Sequence, residues 1–155
     1  VNKMDKVHLF IIGSGEYYQE LANYTIQVKA NKKVTFTGRV PYSRLLEITA
    51  SADAGLCLFE PISLSYEYAL PNKLFEYIMA GIPSIATDLP QMRKVIQKEK
   101  VGLLVNKDLN EVELIEKINE MKDVENRKLF IEQAHLVSKD YSYESQTDKI
   151  MSLFP

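Results

Sequence analysis

Five short, unbroken apolar runs constrain this chain more than any other feature: "VHLFII" at residues 7–12, "VTFT" at 34–37, "AGLCLF" at 54–59, "PSIAT" at 83–87 and "VGLLV" at 101–105. Runs of this length without polar alternation mark strands buried on both faces, the pattern of a parallel sheet. Parallel neighbours need a crossover, and the intervening segments carry helical spacing. Tyr18, Leu21, Thr25 and Val28 recur along residues 16–30, and Leu45, Ile48 and Ala52 along "RVPYSRLLEITASAD". Leu74, Phe75, Ile78 and Met79 give residues 71–80 an apolar face that Gly81 closes, and a shorter helix is predicted over 90–97. After the fifth run, Leu114, Ile115, Ile118 and Met121 mark one helix and Phe130, Ala134 and Val137 another, with a helical or frayed end beyond them. Residues 60–70, bounded by prolines, read as a loop. The alternation predicts an α/β fold with a doubly wound parallel sheet.

At 155 residues the chain matches one domain with one core. A net charge of -2 with 26% charged residues leaves no basic excess for nucleic acid, so any phosphate site has to be local. No apolar run approaches the roughly 20 residues that span a bilayer, and the start "VNKMDKVHLF" is too short in its apolar core for a signal peptide, so a cytoplasmic location is expected. A lone cysteine, Cys57, has no intramolecular partner and sits in an apolar run, where it reads as a reduced core residue. The chain opens without Met on the lead-in to a strand, which is expected of a piece of a longer polypeptide.

Ligands of open parallel sheets collect beyond the carboxyl ends of the strands, and "GSGE", "GRVP", "EPIS" and "TDLP" all fall at such ends. "GSGE" invites a dinucleotide reading, but the G-x-G-x-x-G fingerprint fails at Tyr18 and the next strand ends in "FTGR" without a ribose-binding acid. A tight turn explains it as well. More informative is "LPNKLFEYIMAG". Pro71 suits a first helical turn, so the amides of Asn72, Lys73 and Leu74 are expected to be free and to favour an anion. Lys73 adds a full charge there, and Glu76 lies on the same face. A nucleotide would satisfy both, with its diphosphate on the amides and Lys73 and its ribose hydroxyls on Glu76. The same spacing also fits a surface pair between Lys73 and Glu76, worth at most a few tenths of a kcal/mol, and by itself favours that pair. His8 and His135 read as structural or exposed, and no spacing of His, Cys or acidic residues suggests a metal.

"LPNKLFEYIMAGIPSIATD" resembles the donor-site segment of group-1 glycosyltransferases of GT-B fold, with a helix start, a Glu, small residues and a G-x-P-x-x-A-T strand in order. "LFIIGSGEYYQEL", "KVTFTGRVPYSRLLEITASADAGLCLF" and "VGLLVNKDLNEVELIEKI" are similar to the family's successive units. The resemblance implies that residues 1–155 form the single C-terminal, Rossmann-like donor-binding domain, with an N-terminal acceptor domain absent from this chain. It implies a donor that is a nucleoside-diphosphate sugar, no cofactor and no metal. A hexosyl unit would pass, with retention, to a saccharide or lipid-linked acceptor bound mainly by the missing half. The full-length enzyme would work in the cytoplasm or at the cytoplasmic membrane face, and this chain alone would bind donor without turning it over.

The family's Glu-x7-Glu motif maps its second Glu onto Glu76, as the ribose ligand, and its first onto Tyr68, where this chain departs from the pattern. Gly38, Arg39 and Val40 fall where the family's backbone meets the base; Pro71, Asn72, Lys73 and Leu74 fall at the phosphates. No catalytic residue is assigned within this chain. Two other readings stand beside this one: a sugar-nucleotide epimerase domain, whose catalytic groups would lie elsewhere, and a non-catalytic flavodoxin-like interaction domain. A receiver of the latter type wants acids at the first strand's end, where this chain has Gly13, Ser14 and Gly15.

Overall fold

A computed structural model of the chain describes residues 3–142 together with Ser145, Thr147 and Met151; the remainder of the helical or frayed end lies outside the described residues. The chain divides into two compact units, Val1–Leu45 and Leu46–Pro155.

In the first unit, β1 (Leu9–Ile12) pairs in parallel with β2 (Val34–Gly38), joined by α1 (Tyr18–Gln27). The pairing shifts at Ile11 and Ile12, where Gly13 turns out of the strand. Gly13 and Gly38 both have positive φ, and the Gly13 amide donates to the Gly38 carbonyl at 2.8 Å, tying the two strand ends together. Burial here departs from the sequence expectation. No residue of β1, β2 or α1 is fully buried, and Phe10 is 57% exposed. Leu21, expected on the inner face of α1, is exposed, while Tyr18, Thr25 and Val28 turn inward as expected and Ala22 joins them, with the Tyr18 ring edge-on to Phe36 at 5.4 Å. A two-stranded sheet presents too narrow a face to cover the whole apolar stripe of the helix. α2 (Tyr42–Ala50) follows and runs across the division between the units.

The second unit holds a three-stranded parallel sheet in the order β3 (Gly55–Cys57), β4 (Ser84–Thr87), β5 (Gly102–Val105). Its register aligns Leu56, Ile85 and Leu103, and then Cys57, Ala86 and Leu104. Successive residues of a strand face opposite ways, so these rows belong to different layers. Cys57 and Ala86 are fully buried against α4 (Asn72–Met79) and α5 (Pro90–Glu99), through Leu74, Ile78, Met92 and Ile96. Ile85 packs on the other face against Met121 of α6 (Glu111–Lys122). α7 (Val124–Val137) serves both layers, Ala134 in the first and Phe130 in the second. A 3-10 turn at Ser138–Tyr141 stacks Tyr141 on Phe75, with ring centroids 5.3 Å apart.

The helix ends follow from their sequences. Asn110 accepts from the amides of Val112 and Glu113 to cap α6, and Asp123 accepts from Asn126 to cap α7. α4 stops at Gly81, whose φ of 73° allows the Ile82 amide to reach Tyr77 and its own amide to reach Ile78. Residues 60–70, expected to be a loop, contain one short helix, α3 (Leu64–Glu67), started by Ser63 accepting from the Tyr66 amide.

Candidate functional site

In the second unit the residues of interest gather where β3 ends and α4 begins. Pro71 is the cap of α4, in extended conformation at φ -75° and ψ 143°, and not its first helical residue as expected. The Leu74 amide donates to the Pro71 carbonyl at 3.1 Å, so it is not among the free donors expected at this helix start. Its side chain is fully buried. The amides of Asn72 and Lys73 have no protein acceptor among the described residues, and both residues are exposed. Two amides and the positive end of the helix dipole thus face solvent.

Lys73 does not pair with Glu76 among the described residues. Its ammonium stands 5.3 Å from the centre of the Phe59 ring, just past the end of β3. Glu76 is half-buried one turn into the helix, and its carboxylate has no hydrogen-bond or ion-pair partner among the described residues. Tyr68, at the position of the family's first Glu, ends α3 and is 57% exposed. Its neighbour Glu67 is half-buried on α3. Beneath this surface the Tyr77 hydroxyl donates to the Leu56 carbonyl at 3.1 Å, and burial pushes its pKa up to about 12. Burial likewise pushes the Cys57 thiol up to about 11, partly opposed by the charge of Lys73. Cys57 is therefore a protonated core residue, packed 3.9 Å from the Met92 sulfur.

In the first unit the other predicted residues also meet a turn. Arg39 donates from Nε to the Ser14 hydroxyl at 2.7 Å, linking "GRVP" to "GSGE". Gly38 is fixed by its bond to Gly13, and Val40 is half-buried. A groove of about 250 Å³ lies beside this turn, lined by residues that include Gly13, Ser14, Gly15, Tyr18 and Phe36. His8 contacts the Thr35 hydroxyl at 2.8 Å, and the exposed His135 lays its ring over Gly81. Among the described residues no three His, Cys or acidic side chains cluster so as to hold a metal ion. None of their helices is long and apolar enough to cross a membrane.

A family profile described as glycosyl transferases group 1 matches residues 1–123. The chain belongs to this family. Its fold is the Rossmann-like half of the GT-B architecture, in agreement with the sequence reading. Among solved structures it is similar to a sucrose-phosphate synthase from Thermosynechococcus elongatus, at TM-score 0.77 and 16% identity over 99% of this chain and 39% of that one. It is also similar to WaaG, a glycosyltransferase involved in lipopolysaccharide biosynthesis, at TM-score 0.67 and 18% identity over 85% of this chain and 34% of that one. The lipopolysaccharide outer core galactosyltransferase WaaB matches at TM-score 0.63 and 18% identity, over 95% of this chain and 41% of that one. This chain therefore spans between a third and about two fifths of the length of these structures. No curated protein matches it.

The residue that sequence reasoning missed is Phe59. It lies in an apolar run, where it reads as one more strand residue, and local spacing gives no signal that its ring meets Lys73.

Proposed function

We propose that this chain is the donor-binding domain of a glycosyltransferase that moves a hexosyl unit from a nucleoside-diphosphate sugar to a saccharide or lipid-linked acceptor, with retention. The acceptor would be held mainly by a further domain of the full polypeptide, so the isolated chain binds donor without turning it over. One observation carries the reading: Glu76, a half-buried carboxylate without a protein partner among the described residues, follows by one turn two amides that have no acceptor among those residues and a lysine, all at the start of the same helix. Leaving a carboxylate partly desolvated and unpaired costs stability, which a fold retains where a ligand supplies the partner. Ribose hydroxyls donate to carboxylates, and a diphosphate accepts from amides and ammonium.

In the transfer, the bond from the sugar's anomeric carbon to the diphosphate oxygen breaks and a bond to the acceptor oxygen forms. Negative charge grows on the departing diphosphate, which takes up the proton that the acceptor hydroxyl gives up. The amides of Asn72 and Lys73 and the Lys73 ammonium stabilise that growing charge. By family resemblance, Tyr68 borders the sugar, with a phenol in place of a carboxylate.

The test is an NMR titration of nucleosides, nucleoside diphosphates and sugar nucleotides against wild type, Glu76→Gln and Lys73→Met. Glu76→Gln should weaken all three ligand classes by about 1.5–3 kcal/mol, because each carries the ribose. Lys73→Met should weaken only those with a diphosphate. Equal binding by the three proteins would return Glu76 and Lys73 to an ordinary surface.

A further inference from the structure

Spacing along α4 offers Lys73 the acid Glu76, and among the described residues it meets the Phe59 ring instead. An ion pair with Glu76, three residues on, would neutralise both groups. The contact with the Phe59 ring, 5.3 Å away, orients the ammonium while leaving its charge uncompensated. It also leaves the Glu76 carboxylate without a hydrogen-bond or ion-pair partner among the described residues. The ring itself is well anchored. The Phe59 amide donates to the Thr87 hydroxyl at 2.8 Å, and Thr87 is fully buried at the end of β4. The Phe59 side chain packs against the core cluster that contains Cys57 and Leu74. A rigid aromatic face thus stands beside a long, exposed, otherwise mobile lysine.

We infer that Phe59 is a positioning residue for the donor diphosphate, holding the Lys73 ammonium beside the free amides of Asn72 and Lys73. This rests on the donor-site reading above and deepens it. The work of the ring is to restrict where a full positive charge sits before the anion arrives, so that less side-chain freedom is lost on binding. A lysine left to Glu76 would have to break a pair first.

The experiment uses the 155-residue chain with uridine, guanosine and adenosine diphosphates and the matching nucleosides as probes. Phe59→Leu keeps the apolar packing and removes the π face; it should raise the Kd of the diphosphate that binds by about three- to five-fold, with nucleoside binding unchanged. Phe59→Tyr should restore wild-type affinity. In a Lys73→Met background, Phe59→Leu should change nothing further. Site-specific 3,4,5-trifluorophenylalanine at position 59 preserves the ring's shape while withdrawing its electron density, so it separates attraction from packing even where Phe59→Leu unfolds. It should weaken diphosphate binding as Phe59→Leu does. The ligand-free chain gives a readout that does not depend on any donor: the Lys73 side-chain methylene signals should be shifted upfield by the ring, and this shift should vanish in Phe59→Leu. Absence of the ring shift in wild type overturns the inference. So does diphosphate binding that ignores Phe59→Leu and fluorination, which would leave the donor site standing. An intact ring shift in a wild type that binds none of the diphosphates would overturn the donor site, and this inference with it.

Discussion

Two four-residue strands, LFII in β1 and SIAT in β4, meet opposite fates. β4 is buried at every position, whereas β1 is buried at none and exposes Phe10. By side chain alone LFII is the more apolar. β4 owes its burial to neighbours: β3 and β5 flank it, α4 and α5 cover one face, and α6 and α7 line the other. Among the described residues of the first unit, β1 pairs with β2 and is followed by α1, none of whose residues is buried. Hydrophobicity thus identifies a strand, while the number of layers around it decides whether its side chains leave water. The donor-site candidates Asn72, Lys73 and Glu76 are built on the well-covered unit, where packing of Leu74 and Ile78 holds the helix that carries them.

The contrast predicts a large difference in sensitivity to truncation. Leu74→Ala removes a fully buried side chain from the second unit and should lower its unfolding free energy by about 3–5 kcal/mol. Tyr18→Ala, in the half-buried layer of the first unit, should cost about 1–2 kcal/mol, because its site is already open to water. Urea denaturation of both variants, with hydrogen exchange to assign the loss to β1 or β4, measures this. Equal losses would mean that the two units share their stability evenly, and the comparison would fail.

The interior of the second unit can be probed with pH. Burial raises the Cys57 thiol from 9.0 to about 11, so the folded state holds this proton more tightly than the unfolded chain does. Its contribution is fully present below pH 9 and is lost as pH rises through 11. The loss is on the order of 1 kcal/mol at pH 10. Tyr77 and Tyr141, both raised from 10.0 to about 12, extend the decline to higher pH with the same sign. Urea midpoints at pH 8 and 10 should therefore fall further in wild type than in Cys57→Ala, which keeps the tyrosines and removes the thiol. Parallel declines would show that water reaches Cys57, and the second unit would then resemble the first more closely than its packing implies.

Much of this architecture was legible in the chain. The five apolar runs fall on β1 to β5, and Gly81 ends α4 by the turn that its free φ allows. Other features were not legible, for identifiable reasons. The apolar spacing of α1 placed Leu21 inward because periodicity records what a helix could bury, not how wide a face it meets. The turn of helix at Leu64–Glu67 is short enough that one serine cap, Ser63, outweighs the loop-like composition around it. Spacing along α4 brought Lys73 and Glu76 together as candidates, and the resemblance gave them roles. Whether they pair with each other depended on Phe59, which reaches Lys73 only through the fold. Pro71 as a helical residue would leave the Leu74 amide free; its extended conformation as the cap presents a carbonyl to that amide instead.

The smallest expected effect has the opposite sign and sharpens the comparison at one hydroxyl. Ser84 begins β4 fully buried, and its Oγ has no hydrogen-bond partner among the described residues. A hydroxyl taken out of water without a partner destabilises the folded state, and the methyl of alanine fits the same space without a group to satisfy. Ser84→Ala should therefore stabilise the second unit by about 1 kcal/mol. In the first unit the Thr35 hydroxyl is differently placed, half-buried and bonded to His8 at 2.8 Å. Thr35→Val replaces it with a near-isostere beside solvent, where water takes over the bond to His8, so the change should be near zero. Thermal melts at one pH, read with probes in β4 and β2, measure both. A loss of stability in Ser84→Ala would mean that the hydroxyl has a partner after all, and that the dry, closely covered sheet inferred around β4 is wetter than the half-open pair of β1 and β2.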